Sequence, residues 1–147
     1  MSREGSATGR RIELDRTRAL SLLGTVPLGR LVFTRRALPT IRPVNHIVDG
    51  GDIVIRIHED AAVALSTPPD GDGVVVAYEA DSIDADTHAG WSVVVTGYAR
   101  LVTDTADLTR IRGLLEPWIP RQEMDHAVRI RPELVTGVLL TGTENQQ

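Results

Sequence analysis

The sequence predicts a mainly β domain, a six-stranded antiparallel barrel with two or three short helices. Three observations predict it. Six apolar runs of strand length are separated by turn signals, Gly-rich dipeptides sit at the turns, and strands do not alternate regularly with long helices as a parallel sheet requires. So many antiparallel strands are best served by a closed or split barrel, which removes exposed edges.

Composition agrees with one domain. A chain of 147 residues is near the modal domain size and can bury roughly two-thirds of its unfolded surface. The chain has no Cys, which excludes disulfides and thiolate metal sites, and all 16 of its basic residues are Arg. Without Lys it cannot form a Schiff base. A net charge of −4 and five aromatic residues supply neither a basic stripe nor stacking platforms, so no nucleic-acid partner is expected. The opening MSREGSATGRR has no apolar segment behind it, and no apolar run approaches the roughly 20 residues that cross a bilayer. The expectation is a soluble, cytoplasmic protein with no membrane partner. Its parts are a disordered arm over 1–13, a barrel domain over 14–141 and a polar tail over 142–147.

In chain order, Asp15 caps a short helix, with Leu14 as a hydrophobic staple, Ala19, Leu20 and Leu23 on one face and Gly24 as the stop. That helix reads as a lid over a barrel end. Pro27 to His58 then forms an antiparallel meander. Leu31 to Phe33 ends at Thr34-Arg35-Arg36, Ile41 to Val48 ends at Asp49-Gly50-Gly51, and Asp52 to His58 closes the set. Strand alternation places Arg42, Val44 and His46 on one face, and Ile41, Pro43, Asn45 and Ile47 on the other. It likewise separates Ile53, Ile55 and Ile57 from Asp52, Val54, Arg56 and His58.

Glu59 to Ser66 is helix-forming, and Thr67 to Gly73 is a loop. Val74 to Tyr78 is a buried strand, followed by an acidic connection from Glu79 to His88 that lacks the graded ligand spacing of a calcium loop. Gly90 to Val102 is a long strand with Gly97 as a bulge or a point of close approach. Thr103 to Glu116 is a helix stopped by Pro117, with Leu108, Ile111 and Leu115 on its apolar face. Trp118 to Asp125 is irregular, and Ala127 to Leu140 is the last strand.

The chemistry is narrowed by elimination. No G-x-S-x-G elbow accompanies His46, His58, His88 or His126, and no two His stand at i, i+4, so neither a nucleophilic triad nor a metal site is expected. Gly50-Gly51 is a hairpin turn, not a phosphate loop. No catalytic side chain is assigned. Arg42 among apolar strand residues reads either as an exposed edge Arg or as an anion site, which a planar guanidinium suits. Redox chemistry on a bound cofactor survives, because the cofactor brings the reactivity and the protein only binds and orients it.

Leu28-Gly29-Arg30-Leu31-Val32-Phe33, Leu38-Pro39, Ile41-Arg42-Pro43-Val44-Asn45, Val54-Ile55-Arg56 and Gly90-Trp91-Ser92-Val93-Val94-Val95-Thr96-Gly97 resemble the pyridoxamine 5'-phosphate oxidase-like family. Within it they are similar to the short bacterial flavin- and deazaflavin-binding split barrels, over about Asp15 to Val138. The resemblance implies a Greek-key FMN-binding split barrel, a homodimer, and hydride transfer to a small unsaturated or nitro-type acceptor. It implies that Arg56 clamps the cofactor phosphate, that Arg42, Pro43, Val44 and Asn45 line the ring edge, and that Trp91 and Ser92 approach it across the dimer. Trp91 also reads as a core anchor. His58 shares a face with Arg56 and is either a hydrogen-bond donor to the cofactor or a structural His.

Two departures accompany the resemblance. Relatives carry Thr and Lys where this chain has Ile57 and Ala62, which leaves FMN, the deazaflavin F420 and haem open as cofactors. It also opens a second class, a cofactor-binding or sequestering dimer without turnover, or a barrel that has lost its cofactor. The family's C-terminal Arg-Leu-x-Pro signature is replaced by Arg129-Ile130-Arg131-Pro132. Arg129 and Arg131 are therefore candidates for an anionic substrate other than pyridoxamine 5'-phosphate, or an Arg-rich edge that discourages aggregation.

Overall fold

The computed structural model describes residues 9–66, 71–118 and 126–142. The expected loop at Thr67 to Asp70, most of the irregular stretch before Asp125 and the tail after 142 lie outside them. Its elements are β1 (Arg11–Glu13), α1 (Arg16–Leu23), β2 (Leu28–Arg35), β3 (Leu38–Asp49), β4 (Asp52–Ile57), α2 (Glu59–Ala64), β5 (Val74–Ile83), β6 (Ala89–Leu101), α3 (Thr105–Leu114) and β7 (His126–Thr141).

Six strands close a ring. The order β7-β4-β3-β2-β5-β6 is completed by antiparallel pairing of β6 with β7. After the meander β2-β3-β4 the chain returns through α2 to lay β5 beside β2, the Greek-key arrangement. The seventh strand, β1, stands outside the ring on β7, so the end of the expected disordered arm joins the sheet. No helix among the described residues is long and apolar enough to cross a membrane.

Period-2 alternation builds the interior. Leu31 and Phe33, Ile53, Ile55 and Ile57, Val76, Tyr78 and Ala80, Trp91, Val93 and Val95, and Val128 and Ile130 all enter one buried cluster. The β3–β4 turn takes positive φ at Gly50 and Gly51, 62° and 86°, which a two-residue hairpin of this hand needs. Gly97 sits at a register shift against β7, where a Cβ would run into the Arg131 carbonyl. Gly97 is thus both a register irregularity and a point of close backbone approach, the two expectations for it.

The lid is present: Asp15 caps α1 by accepting the Arg18 amide at 2.8 Å, and Ala19 and Leu23 are inserted into the core. On the outer side, Ile111 and Leu115 from α3 and its end pack on Val54 and Ala127. One expectation changes. Glu79 and Asp81 lie in β5, alternating with buried Ala80, and only 84–88 forms a turn. That turn is organised by Asp84, whose Oδ1 accepts the amides of Asp86 and Thr87.

Candidate functional site

Alternation divides the predicted cofactor residues between two faces of β3. Arg42 is directly opposite Leu31, on the barrel side, and its guanidinium lies 5.7 Å from the centre of the Phe33 ring. At this mouth Asp60 Oδ2 accepts from Arg42 at 3.3 Å and from Arg35 at 3.4 Å, while Oδ1 is 3.0 Å from His58 Nδ1. The His58 hydrogen bond comes first among the causes that hold the Asp60 carboxyl below its ordinary range. His58 also caps α2. Two guanidiniums against one carboxylate leave the mouth with surplus positive charge.

Pro43 and Asn45 face the other way. Pro43 is exposed, whereas Asn45 is buried beneath the segment that follows α3. Its Nδ2 donates to the Glu116 carbonyl at 2.8 Å, and its Oδ1 accepts the Trp118 amide at 3.0 Å. Arg56, on the same side, donates from Nη1 to the Leu115 carbonyl at 3.1 Å. The expected phosphate clamp thus helps to hold a backbone strap over 115–118. Val44 is half-buried on the barrel side, and its carbonyl lies 3.2 Å from the Tyr78 hydroxyl.

Trp91 and Ser92 also part. Trp91 is 8% exposed in the barrel core, as its anchor reading expects, while Ser92 faces outward, opposite Asp81 and Val138. Arg129 and Arg131 do share a face and line one cleft of about 770 Å³ with Tyr98 and Asp107. Arg129 is committed to Asp49 at 2.6 Å and Asp107 at 3.2 Å, whereas Arg131 covers the Tyr98 ring at 5.3 Å. Their strand is not an edge there, since β7 pairs with β4 and with β6 around Arg129.

Two groups escaped the reading of the sequence. Arg35 and Asp60 complete the mouth, and the shared parity of Leu31, Phe33 and Arg35 was the available signal. On the outer face Arg30 bridges Glu79 at 3.3 Å and Asp81 at 3.7 Å. Burial, then the neighbouring Asp81, pushes Glu79 up to about 7.

These residues fit a phosphate-bearing ligand at the mouth, where Arg35 and Arg42 outnumber Asp60 beside an aromatic wall. They do not extend that fit to the positions where the resemblance implies Thr and Lys: Ile57 and Ala62 are 3% and 2% exposed and belong to the core.

Residues 15–138 match the family model for pyridoxamine 5'-phosphate oxidase. An uncharacterized protein of Mycobacterium tuberculosis is 50% identical over 128 residues, which cover 86% of this chain and 84% of that one. A candidate pyridoxamine 5'-phosphate oxidase from Corynebacterium glutamicum superposes with a TM-score of 0.73 at 35% identity, covering 91% of this chain and 96% of its own. The FAD-binding protein of Mycobacterium smegmatis does so with a TM-score of 0.63 at 30% identity, over 88% of this chain and 97% of its own.

Proposed function

Because the chain belongs to the pyridoxamine 5'-phosphate oxidase family, we propose that it binds a flavin and serves as a flavin-dependent oxidoreductase. In this reading it is a homodimer that reduces a small unsaturated or nitro-type acceptor. The observation that carries the binding step is the barrel mouth, where Arg35 and Arg42 face a single carboxylate, Asp60, beside Phe33. The 30% identical FAD-binding protein of M. smegmatis supports a flavin in general. FMN is the cofactor proposed here, with FAD, F420 and haem as competitors in the test.

A bound flavin supplies hydride chemistry, while the protein binds, orients and shields it. Arg42 and Arg35 hold the phosphate, and a charged hydrogen bond of this kind contributes about 1.5–3 kcal/mol. Phe33 supplies an apolar wall. Arg56 is tied to the Leu115 carbonyl through Nη1, so any phosphate contact falls to its other N–H groups.

A second reading is favoured by the buried Ile57 and Ala62 and by the engagement of Asn45 and Arg56 with the strap. It is a binding or sequestering protein without turnover, or a barrel that has lost its cofactor. An absorption spectrum of the purified protein, before and after titration with FMN, FAD, F420 and haem, separates these readings. Saturable flavin binding that weakens at least about tenfold in Arg42→Ala, the loss of roughly 1.4 kcal/mol, supports the first. Reduction of a nitroaryl or enone acceptor by the loaded protein then tests turnover. No binding of any of the four leaves only the lost-cofactor reading.

A further inference from the structure

Of the chain's five aromatic residues, Trp118 stands most open to a ligand. Phe33, Tyr78 and Trp91 are 3%, 0% and 8% exposed, and Tyr98 lies half-buried beneath the Arg131 guanidinium. Trp118 is 58% exposed. An indole left in water forgoes a large hydrophobic gain, since side chains of this kind bury about 150–250 Å² when covered.

Its backing is fixed. The strap is pinned at three points: the Leu115 carbonyl accepts from Arg56, the Glu116 carbonyl accepts from Asn45 Nδ2, and the Trp118 amide donates to Asn45 Oδ1. Leu115 is itself buried, packed with Val54 and Ala127. Pro117 restricts the backbone between the last two points. The indole is thus the exposed part of a segment whose place is set by β3 and β4.

That place adjoins an opening in the barrel wall. β3 pairs with β2 from Leu38 to Asn45, but with β4 only from His46 to Asp49. Over 38–45 its second edge therefore has no strand partner among the described residues. Arg42 lies on the barrel side of this open edge. Asn45 lies on the outer side, three residues or roughly 10 Å along the strand, with exposed Pro43 between them. A flavin whose phosphate is held by Arg35 and Arg42 has this edge to follow toward Asn45 and the strap. Indole and isoalloxazine are both flat rings, and offset stacking between such rings adds to the area they bury.

We propose that Trp118 is the platform on which the flavin ring stacks, with Asn45 as the residue that positions it. The inference rests on the flavin reading above and adds the ring's contact.

Titration of the wild type and two Trp118 variants with FMN and, separately, with FAD tests it. Flavin fluorescence gives the readout, and circular dichroism checks folding. An indole in contact with a flavin ring quenches its emission by electron transfer, which a phenyl ring does not. Binding to the wild type is therefore expected to quench the flavin. Trp118→Phe keeps a stacking face, so affinity stays within about threefold while the bound flavin brightens. Trp118→Ala removes the face and weakens binding at least about tenfold. Leu114→Ala, at an exposed position of α3, leaves both readouts unchanged. If the wild type binds a flavin and neither Trp118 variant alters its emission, the platform is overturned and the flavin reading stands. Affinity lost in Trp118→Ala without brightening in Trp118→Phe also overturns it and leaves Trp118 a packing role in the strap. A wild type that binds neither flavin overturns both.

Discussion

Asn45 accepts the Trp118 amide through Oδ1 at 3.0 Å while its Nδ2 donates to the Glu116 carbonyl at 2.8 Å. One side-chain amide thus gives the strap the two bonds that a neighbouring strand would supply. Asn45→Ala removes both and leaves backbone groups to find water, at an expected cost of about 1–3 kcal/mol. Denaturant unfolding measures the loss, and hydrogen exchange should quicken over 115–118 while the barrel strands keep their protection. An unchanged midpoint would mean that packing alone holds the strap.

The Asp49 carboxylate receives hydrogen bonds from Arg110 and then Arg129, which lower it from 3.8 to about 2. A carboxyl depressed in the folded state stabilises fully above its unfolded value and loses that contribution as pH falls through the folded one. The wild type is therefore expected to lose stability between pH 3.8 and about 2, and Asp49→Asn should flatten that part of the profile. Parallel acid limbs in the two proteins, followed by urea midpoints, would remove Asp49 from the account.

Most of the barrel was legible because its strands alternate cleanly: Ile53, Ile55 and Ile57, or Trp91, Val93 and Val95, can only face one core. The end of β5 was hidden because Glu79, Asp81 and Ser82 outweigh the single buried Ala80 in composition, although the period is kept. The site was less legible. Alternation put Arg42 and Asn45 on opposite faces, but it could not say that α3 and its sequel would cover the Asn45 side. That fact depends on Glu116 and Trp118, 71 and 73 residues away. Trp91 and Ser92, neighbours in β6, are parted by the same alternation, one in the core and one facing outward.

Burial lowers the pKa of His46 from 6.5 more than its hydrogen bond with Leu23 raises it. In the neutral ring, Nε2–H donates to the Leu23 carbonyl at 2.9 Å, and Nδ1 accepts the Tyr78 hydroxyl at 2.6 Å. The unfolded chain takes up a proton that the fold refuses, so stability falls as pH drops below 6.5 toward the folded value. NMR should show the neutral form of His46 predominating at pH 6.5. Tyr78→Phe, which strands the buried Nδ1, should cost about 1–3 kcal/mol.

Position 62 is where the resemblance implies a Lys. Ala62 is 2% exposed inside the core cluster, so a lysine there meets Ile and Leu side chains before it meets a phosphate. It must give up its proton or pry α2 from the barrel, and a buried unpaired charge costs several kcal/mol, about 3 or more. Ala62→Lys is therefore expected to lower the melting temperature sharply without tightening flavin or phosphate binding. Val63→Lys, one residue on at a position 67% exposed, should change stability by no more than about 0.5 kcal/mol. Thermal scans of the two variants, each with and without FMN, make the comparison within one helix. If Ala62→Lys stays as stable as the wild type and binds FMN more tightly, α2 can turn position 62 toward the ligand. The lost-cofactor reading would then lose one of its two supports, leaving only the strap that occupies Asn45 and Arg56.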